Sequence, residues 1–130
     1  MKDIERMEKS RQIIERMERE RGIVRTWPRL MADRDPEWLE HWHNLTMHVL
    51  RGTDTLPLKI KELMLVALDA VTFYDFGVRV HTKGALAAGA TEAELVETLE
   101  VVSIVSPHGL TSMIEIVLDE VKAFEASRTK

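Results

Sequence analysis

The segment covering residues 58–73 restricts most strongly how this chain can fold. Drawn as a helix, it carries apolar residues on much of its circumference, which is typical of a helix covered by other helices. No segment of the chain shows the sustained period-two alternation of a half-buried strand. The sequence therefore predicts an all-α protein, a single-domain helical bundle in which residues 58–73 form the central helix.

Capping signals place about five further helices around this segment. Asp35-Pro36 is typical of a helix start, Gly89 of a helix end, and Thr91 with Glu94 of a capping box. The predicted ranges are 2–21, 35–52, 78–88 with Asp75 as a cap, 91–106, and 110–126, with a Pro107-His108-Gly109 corner before the last helix.

Residues 1–34 are predicted to be a helical extension of a main domain that covers residues 35–130. The first helix is highly charged and has a thin apolar stripe on one side, formed by Ile4, Met7, Ile14 and Met17. Such a stripe is usually packed against something, and a neighbouring subunit is a reasonable candidate.

Composition excludes several classes of protein. The chain has no cysteine, which rules out disulfides, thiolate metal sites and cysteine nucleophiles and fits a reducing cytoplasm. The formal net charge of −4, with no basic block, disfavours nucleic-acid binding. The charged N-terminus lacks the apolar region of a signal peptide, and no apolar run is long enough to span a membrane. We therefore expect a cytoplasmic protein.

Glu62 and His81 are the leading candidates for catalysis. Glu62 lies early in the apolar central helix, where a buried carboxylate is costly unless it is paired. A histidine on the adjacent helix is the natural partner, and such a pair can transfer protons at neutral pH. The alternative is structural: Glu62 is then a residue favourable to the helix dipole, and His81 a satisfied core histidine.

Three segments together resemble the carboxymuconolactone decarboxylase family, which includes the alkylhydroperoxidase-like proteins. They are LPLKIKEL at 56–63, RVH at 79–81, and ALAAGAT at 85–91 followed by Glu94. The resemblance covers about residues 37–120. It implies an alkylhydroperoxidase-like helical fold, assembly into homotrimers or homohexamers, active sites near subunit contacts, and a place in aromatic catabolism.

The resemblance also separates two kinds of chemistry. The peroxidase branch carries Cys-x-x-Cys-x-x-x-His, and its two cysteine positions are occupied here by Tyr74 and Gly77. Peroxide reduction through a disulfide is therefore impossible in this chain. Arg79-Val80-His81 looks like the Arg-x-His of the decarboxylases, whereas residues 72–77 depart from the decarboxylase pattern and leave the substrate open.

Other residues have both a functional and a structural interpretation. His108 either lines the same pocket or hydrogen-bonds a helix end, and Asp75 either belongs to the site or caps a helix. His41 and His48 share a helix face, so they are candidates for substrate binding or, with His81 and His108, for a zinc or iron site. No motif supports a metal, and we predict none. His43 points away from His41, and Trp38 and Trp42 are more typical of packing than of a ligand platform.

The leading hypothesis is a cofactor-independent lyase that acts on a small carboxylated or lactone-like organic acid. Arg79 would bind the substrate carboxylate, although an ion pair is an equal alternative for it, and Tyr74 or His108 would stabilise an enolate oxygen. His81, oriented by Glu62, would return a proton to carbon. The alternatives are a non-catalytic accessory or binding subunit of the same fold and a histidine-ligated metal enzyme.

Overall fold

The computed structural model describes residues 2–130, and within them it contains seven helices and no strand. The helices are α1 (Lys2–Arg21), α2 (Thr26–Arg34), α3 (Pro36–Arg51), α4 (Leu58–Val71), α5 (Asp75–Ala87), α6 (Glu92–Val105) and α7 (Pro107–Arg128). The all-α prediction is confirmed. None of these helices combines the length and the apolar character that crossing a lipid bilayer requires.

The chain divides into two compact units, the first ending at Thr53 and the second covering Asp54–Lys130. The division falls in the turn after α3, whereas the sequence places the end of the N-terminal extension at residue 34. Within the first unit, α1 packs against both α2 and α3.

The first unit has its own small core, and this core uses half of the predicted apolar stripe. Ile14 and Met17 are buried, but Ile4 and Met7 are exposed. Trp42 packs edge-to-face against Trp27 with ring centroids 4.9 Å apart, as expected of a packing residue, whereas Trp38 is largely exposed. Asp35 caps α3, since its carboxylate accepts a hydrogen bond of 2.9 Å from the backbone N–H of Trp38.

The second unit is built around α4, which contacts α5, α6 and α7. Val66 and Ala70 of α4 join a buried cluster with residues of the other three helices, among them Val78, Leu99 and Val117. The prediction of a fully buried central helix is only partly correct. One face of α4 is exposed, along the residues Ile60, Met64, Leu68 and Val71.

The helix boundaries of the second unit follow the caps, with two corrections. The Thr91–Glu94 capping box is present in both directions, and Gly89 has a φ of 95°, which glycine adopts without strain. However, α5 begins at Asp75 rather than at residue 78, so Asp75 is a helical residue of the first turn and makes no side-chain cap. Pro107 is the first residue of α7 and not part of a corner, in agreement with the preference of proline for that position.

Candidate functional site

The site lies where α4 and α5 run side by side in the second unit. Glu62 projects from the first half of α4 and His81 from the middle of α5. Nδ1 of His81 lies 2.7 Å from Oε2 of Glu62, so the ring N–H donates to the carboxylate. The His81 and Glu62 side chains are 18% and 12% exposed, so the pair is largely but not completely shielded from water. This contact leaves Nε2 as the imidazole nitrogen that is free for chemistry.

A second carboxylate, Asp69, faces the other side of the imidazole. Its Oδ2 lies 3.8 Å from Nε2 of His81, and its side chain is 21% exposed. Asp69 follows Glu62 by seven residues on α4, which is two helical turns, so both carboxylates lie on the same face. The sequence analysis missed Asp69, and that heptad spacing is the signal that would have found it.

Burial changes the proton affinity of Asp69. Removing a carboxyl from water disfavours its charged form, and this effect raises the pKa of Asp69 above its ordinary value. The nearby positive charge of a protonated His81 acts in the opposite direction and lowers this pKa, but it is the smaller effect. Asp69 therefore keeps its proton to a higher pH than an ordinary aspartate does.

Two glycines of α5 make room for the two carboxylates, one a turn before His81 and one a turn after it. A Cβ at Gly84 would lie 2.6 Å from Cδ of Glu62, and a Cβ at Gly77 would lie 2.2 Å from Oδ2 of Asp69. With a side chain larger than hydrogen at either position, the facing carboxylate would have to move from where it lies now. The predicted helix over 78–88 leaves Gly77 outside, whereas the structure places Gly77 inside α5, where it leaves space for Asp69.

The turn between α4 and α5 closes the Asp69 end of the site. Phe73 adopts a φ of 56°, a left-handed conformation that is uncommon for a residue other than glycine. The following residue, Tyr74, donates its backbone N–H to the carbonyl oxygen of Asp69 over 2.9 Å. A Cβ at Gly77 would also meet the Tyr74 ring at 2.5 Å, so this ring lies at the edge of the site. The predicted catalytic role of Tyr74 stays a prediction.

Arg79 points away from His81 and forms an ion pair with α7. Its Nη1 lies 2.6 Å from Oε1 of Glu120, and Lys83 Nζ lies 3.6 Å from Oε2 of the same residue. The Glu120 side chain is only 7% exposed, whereas that of Arg79 is 43% exposed. Arg79 therefore makes the ion pair that was the alternative to substrate binding. A substrate carboxylate would have to compete with Glu120 for the Arg79 guanidinium.

We expect Arg79→Met to lower the free energy of unfolding by about 1–3 kcal/mol, because a buried carboxylate then loses its closest donor. Lys83 offers partial compensation from 3.6 Å. Urea denaturation followed by circular dichroism measures this change, with Arg128→Met on an exposed stretch of α7 as the control. A variant as stable as the wild type would mean that the ion pair contributes nothing to the fold.

The predicted substrate-binding roles of His108, His41 and His48 stay predictions. His108 is exposed in the first turn of α7, and His41 and His48 are exposed on α3 of the first unit. His43 is fully buried, and its Nε2 lies 2.6 Å from Oε2 of Glu20, a contact that holds the pKa of Glu20 below its usual value. Across residues 2–130, no three His, Asp or Glu side chains are arranged to hold a metal ion.

A carboxylate, an imidazole and a second carboxyl in this arrangement are groups that can transfer protons. Residues 36–108 match the model of the carboxymuconolactone decarboxylase family, and the chain belongs to this family. No curated protein matches the sequence. A crystal structure from Burkholderia xenovorans LB400, itself only provisionally assigned as a carboxymuconolactone decarboxylase, is similar with a TM-score of 0.80 and 24% identity. The similarity covers 95% of this chain and 96% of that one, which confirms the predicted alkylhydroperoxidase-like fold.

Proposed function

We propose that the protein is a cofactor-independent lyase that decarboxylates a small carboxylated or lactone-like organic acid. The observation that carries this proposal is the 2.7 Å contact between Glu62 and His81 in a nearly closed site. A carboxylate that accepts from Nδ1 fixes the orientation of the ring and the position of its proton. Nε2 then presents a proton to a substrate that reaches it.

The chemistry balances with these groups alone. The bond between the carboxylate and its carbon breaks, carbon dioxide leaves, and the bonding electron pair enters the conjugated system as an enolate. The Nε2–H of His81 then gives its proton to carbon, and water restores that proton. Binding the substrate carboxylate through Arg79 would require the guanidinium to exchange Glu120 for substrate, since the two now form an ion pair.

We further propose that the chain acts as a homotrimer or homohexamer in the cytoplasm. The exposed apolar residues along α4 support self-association, because large exposed apolar patches are typical of interaction surfaces.

Turnover of carboxymuconolactone is the direct test of the lyase proposal. With a 13C-labelled carboxyl group, we expect enzyme-dependent release of labelled carbon dioxide, and in D2O one deuterium at the protonated carbon of the product. Both are measured by NMR. The control is protein in which His81 is replaced by glutamine. If neither this acid nor related lactone acids release carbon dioxide, the proposal is wrong.

A second candidate is a non-catalytic accessory or binding subunit of the same fold. The ion pair between Arg79 and Glu120 favours this candidate, because it engages the guanidinium that was expected to bind the substrate carboxylate. Saturable binding of the lactone acid, detected by calorimetry without any release of carbon dioxide, is the outcome that would support this candidate over the lyase.

A further inference from the structure

Asp69 is a partly buried acid that the proposed chemistry does not yet use. It lies beside Nε2 of His81, which is the nitrogen that Glu62 leaves available. A substrate atom that reaches Nε2 therefore also approaches the carboxyl group of Asp69. Gly77 leaves the space that this carboxyl group occupies, since a Cβ at position 77 would displace it.

The separation of the two groups fits two neighbouring substrate atoms. Nε2 of His81 and Oδ2 of Asp69 are 3.8 Å apart, which is too far for a hydrogen bond between them. A substrate atom placed between Nε2 and Oδ2, to one side of the line that joins them, can lie within hydrogen-bonding distance of both. The carbon and the oxygen of an enolate can likewise each lie against one of them.

We propose that Asp69 is a catalytic residue that, as a neutral carboxylic acid, donates a hydrogen bond to the enolate oxygen while His81 gives its proton to carbon. This inference rests on the proposed lyase function and assigns its substrate class: an acid whose leaving carboxylate is conjugated with a carbonyl oxygen. Asp69 thus takes the role that the sequence analysis gave to Tyr74 or His108. Its proton remains on Oδ2 during the step, so the balance of the reaction is unchanged.

The surroundings of Asp69 act on its pKa in two directions. Partial burial raises the pKa and so favours the neutral acid that the proposal requires, while the protonated imidazole of His81 lowers it as the smaller effect. The groups that face it are His81 from α5 and the Tyr74 ring at the turn, while Glu62 lies on the far side of the imidazole. Among residues 2–130, the basic group beside the Asp69 carboxyl is the imidazole of His81, at 3.8 Å.

Two substitutions separate a hydrogen-bond donor from a merely structural residue. Asp69→Ala removes the donor and should lower kcat by about 10²–10³-fold, the usual effect of losing one oxyanion donor. Asp69→Asn retains a neutral N–H donor and should keep a substantial part of the activity. With rising pH, the wild type should lose activity as Asp69 ionises, and Asp69→Asn should not show this loss. Asp119→Asn, at an exposed carboxylate of α7, is the matched control and should leave kcat unchanged.

Protein stability distinguishes a catalytic effect from unfolding. An acid with a raised folded-state pKa stabilises the fold fully below its unfolded pKa, and this contribution is lost as pH rises through the folded pKa. At neutral pH, Asp69→Asn should therefore not lower the melting temperature.

A titration tests the geometry without any turnover. The Asp69 carboxyl, followed by 13C NMR, should titrate above an ordinary aspartate, and His81→Gln should raise its pKa further by removing the positive imidazolium. Titration like a free aspartate, insensitive to His81, would overturn the inference, as would an Asp69→Ala enzyme with wild-type kcat or an Asn variant no better than Ala. If Asp69→Ala is active and His81→Gln inactive, only the role of Asp69 fails. If the wild type is inactive, the lyase proposal fails.

Discussion

His81→Gln is expected to lower kcat by about 10²–10⁴-fold, the range found when a positioned acid or base is removed. Glutamine has a neutral side chain of related length that can still donate an N–H to Glu62, so the local packing is largely retained. It cannot hold and release a proton near neutral pH. The imidazole lies outside the buried cluster of the second unit, so the melting temperature should change little.

A double substitution shows whether Glu62 acts through His81. Glu62→Gln alone should reduce kcat, because the ring loses the carboxylate that accepts from Nδ1 and orients it. In the His81→Gln background the same change should cost almost nothing more, since residues that work as a unit are not additive. Steady-state kinetics on carboxymuconolactone measure both effects. Wild-type kcat in His81→Gln would contradict the assignment of His81 as the proton donor.

Gly84→Ala is expected to lower kcat by about 10²-fold, the scale on which a displacement of about 1 Å at a catalytic group acts. The added methyl group would lie 2.6 Å from the Glu62 carboxylate, so that side chain must rotate away from His81. The end of a glutamate side chain moves easily, and alanine is favoured over glycine inside a helix by about 0.5–1 kcal/mol. We therefore expect activity to fall while thermal stability is kept.

The matched control for Gly84→Ala is the same change in a chain that lacks the Glu62 carboxylate. In the Glu62→Ala background, the alanine at position 84 has no carboxylate to displace. The double variant should therefore have the same kcat as Glu62→Ala alone. Kinetics and thermal melts on the two single variants and the double variant measure this. Full activity of Gly84→Ala, or an additive loss in the double variant, would show that the glycine does not act through Glu62.

Much of the fold is predictable because caps and apolar segments are local signals. The Asp35 cap, Gly89 and the Thr91–Glu94 box all function as their residue types predict. Helix α2 escaped prediction because it begins after Arg25 without any side-chain cap and carries Pro28 in its first turn. The start of α5 was placed too late because a glycine normally indicates a break.

The site is only half predictable for a different reason. Pairing Glu62 with His81 follows from the cost of burying a carboxylate and from the family resemblance, and the two side chains are in contact. The heptad spacing places Asp69 on the same face of α4 as Glu62, but its relation to Gly77 depends on how α4 and α5 lie against each other, which no local pattern contains. Arg79 illustrates the same limit, since its partner Glu120 lies far along the chain, on α7 of the same unit.

The space beside Gly77 also limits which side chains the site can hold at the same time. At position 77, where the family resemblance places a cysteine of the peroxidase branch, a Cβ would lie 2.2 Å from Oδ2 of Asp69. A side chain at position 77 and the Asp69 carboxyl group in its present position therefore exclude each other. Introducing a thiol at position 77 would displace the Asp69 carboxyl group from beside His81.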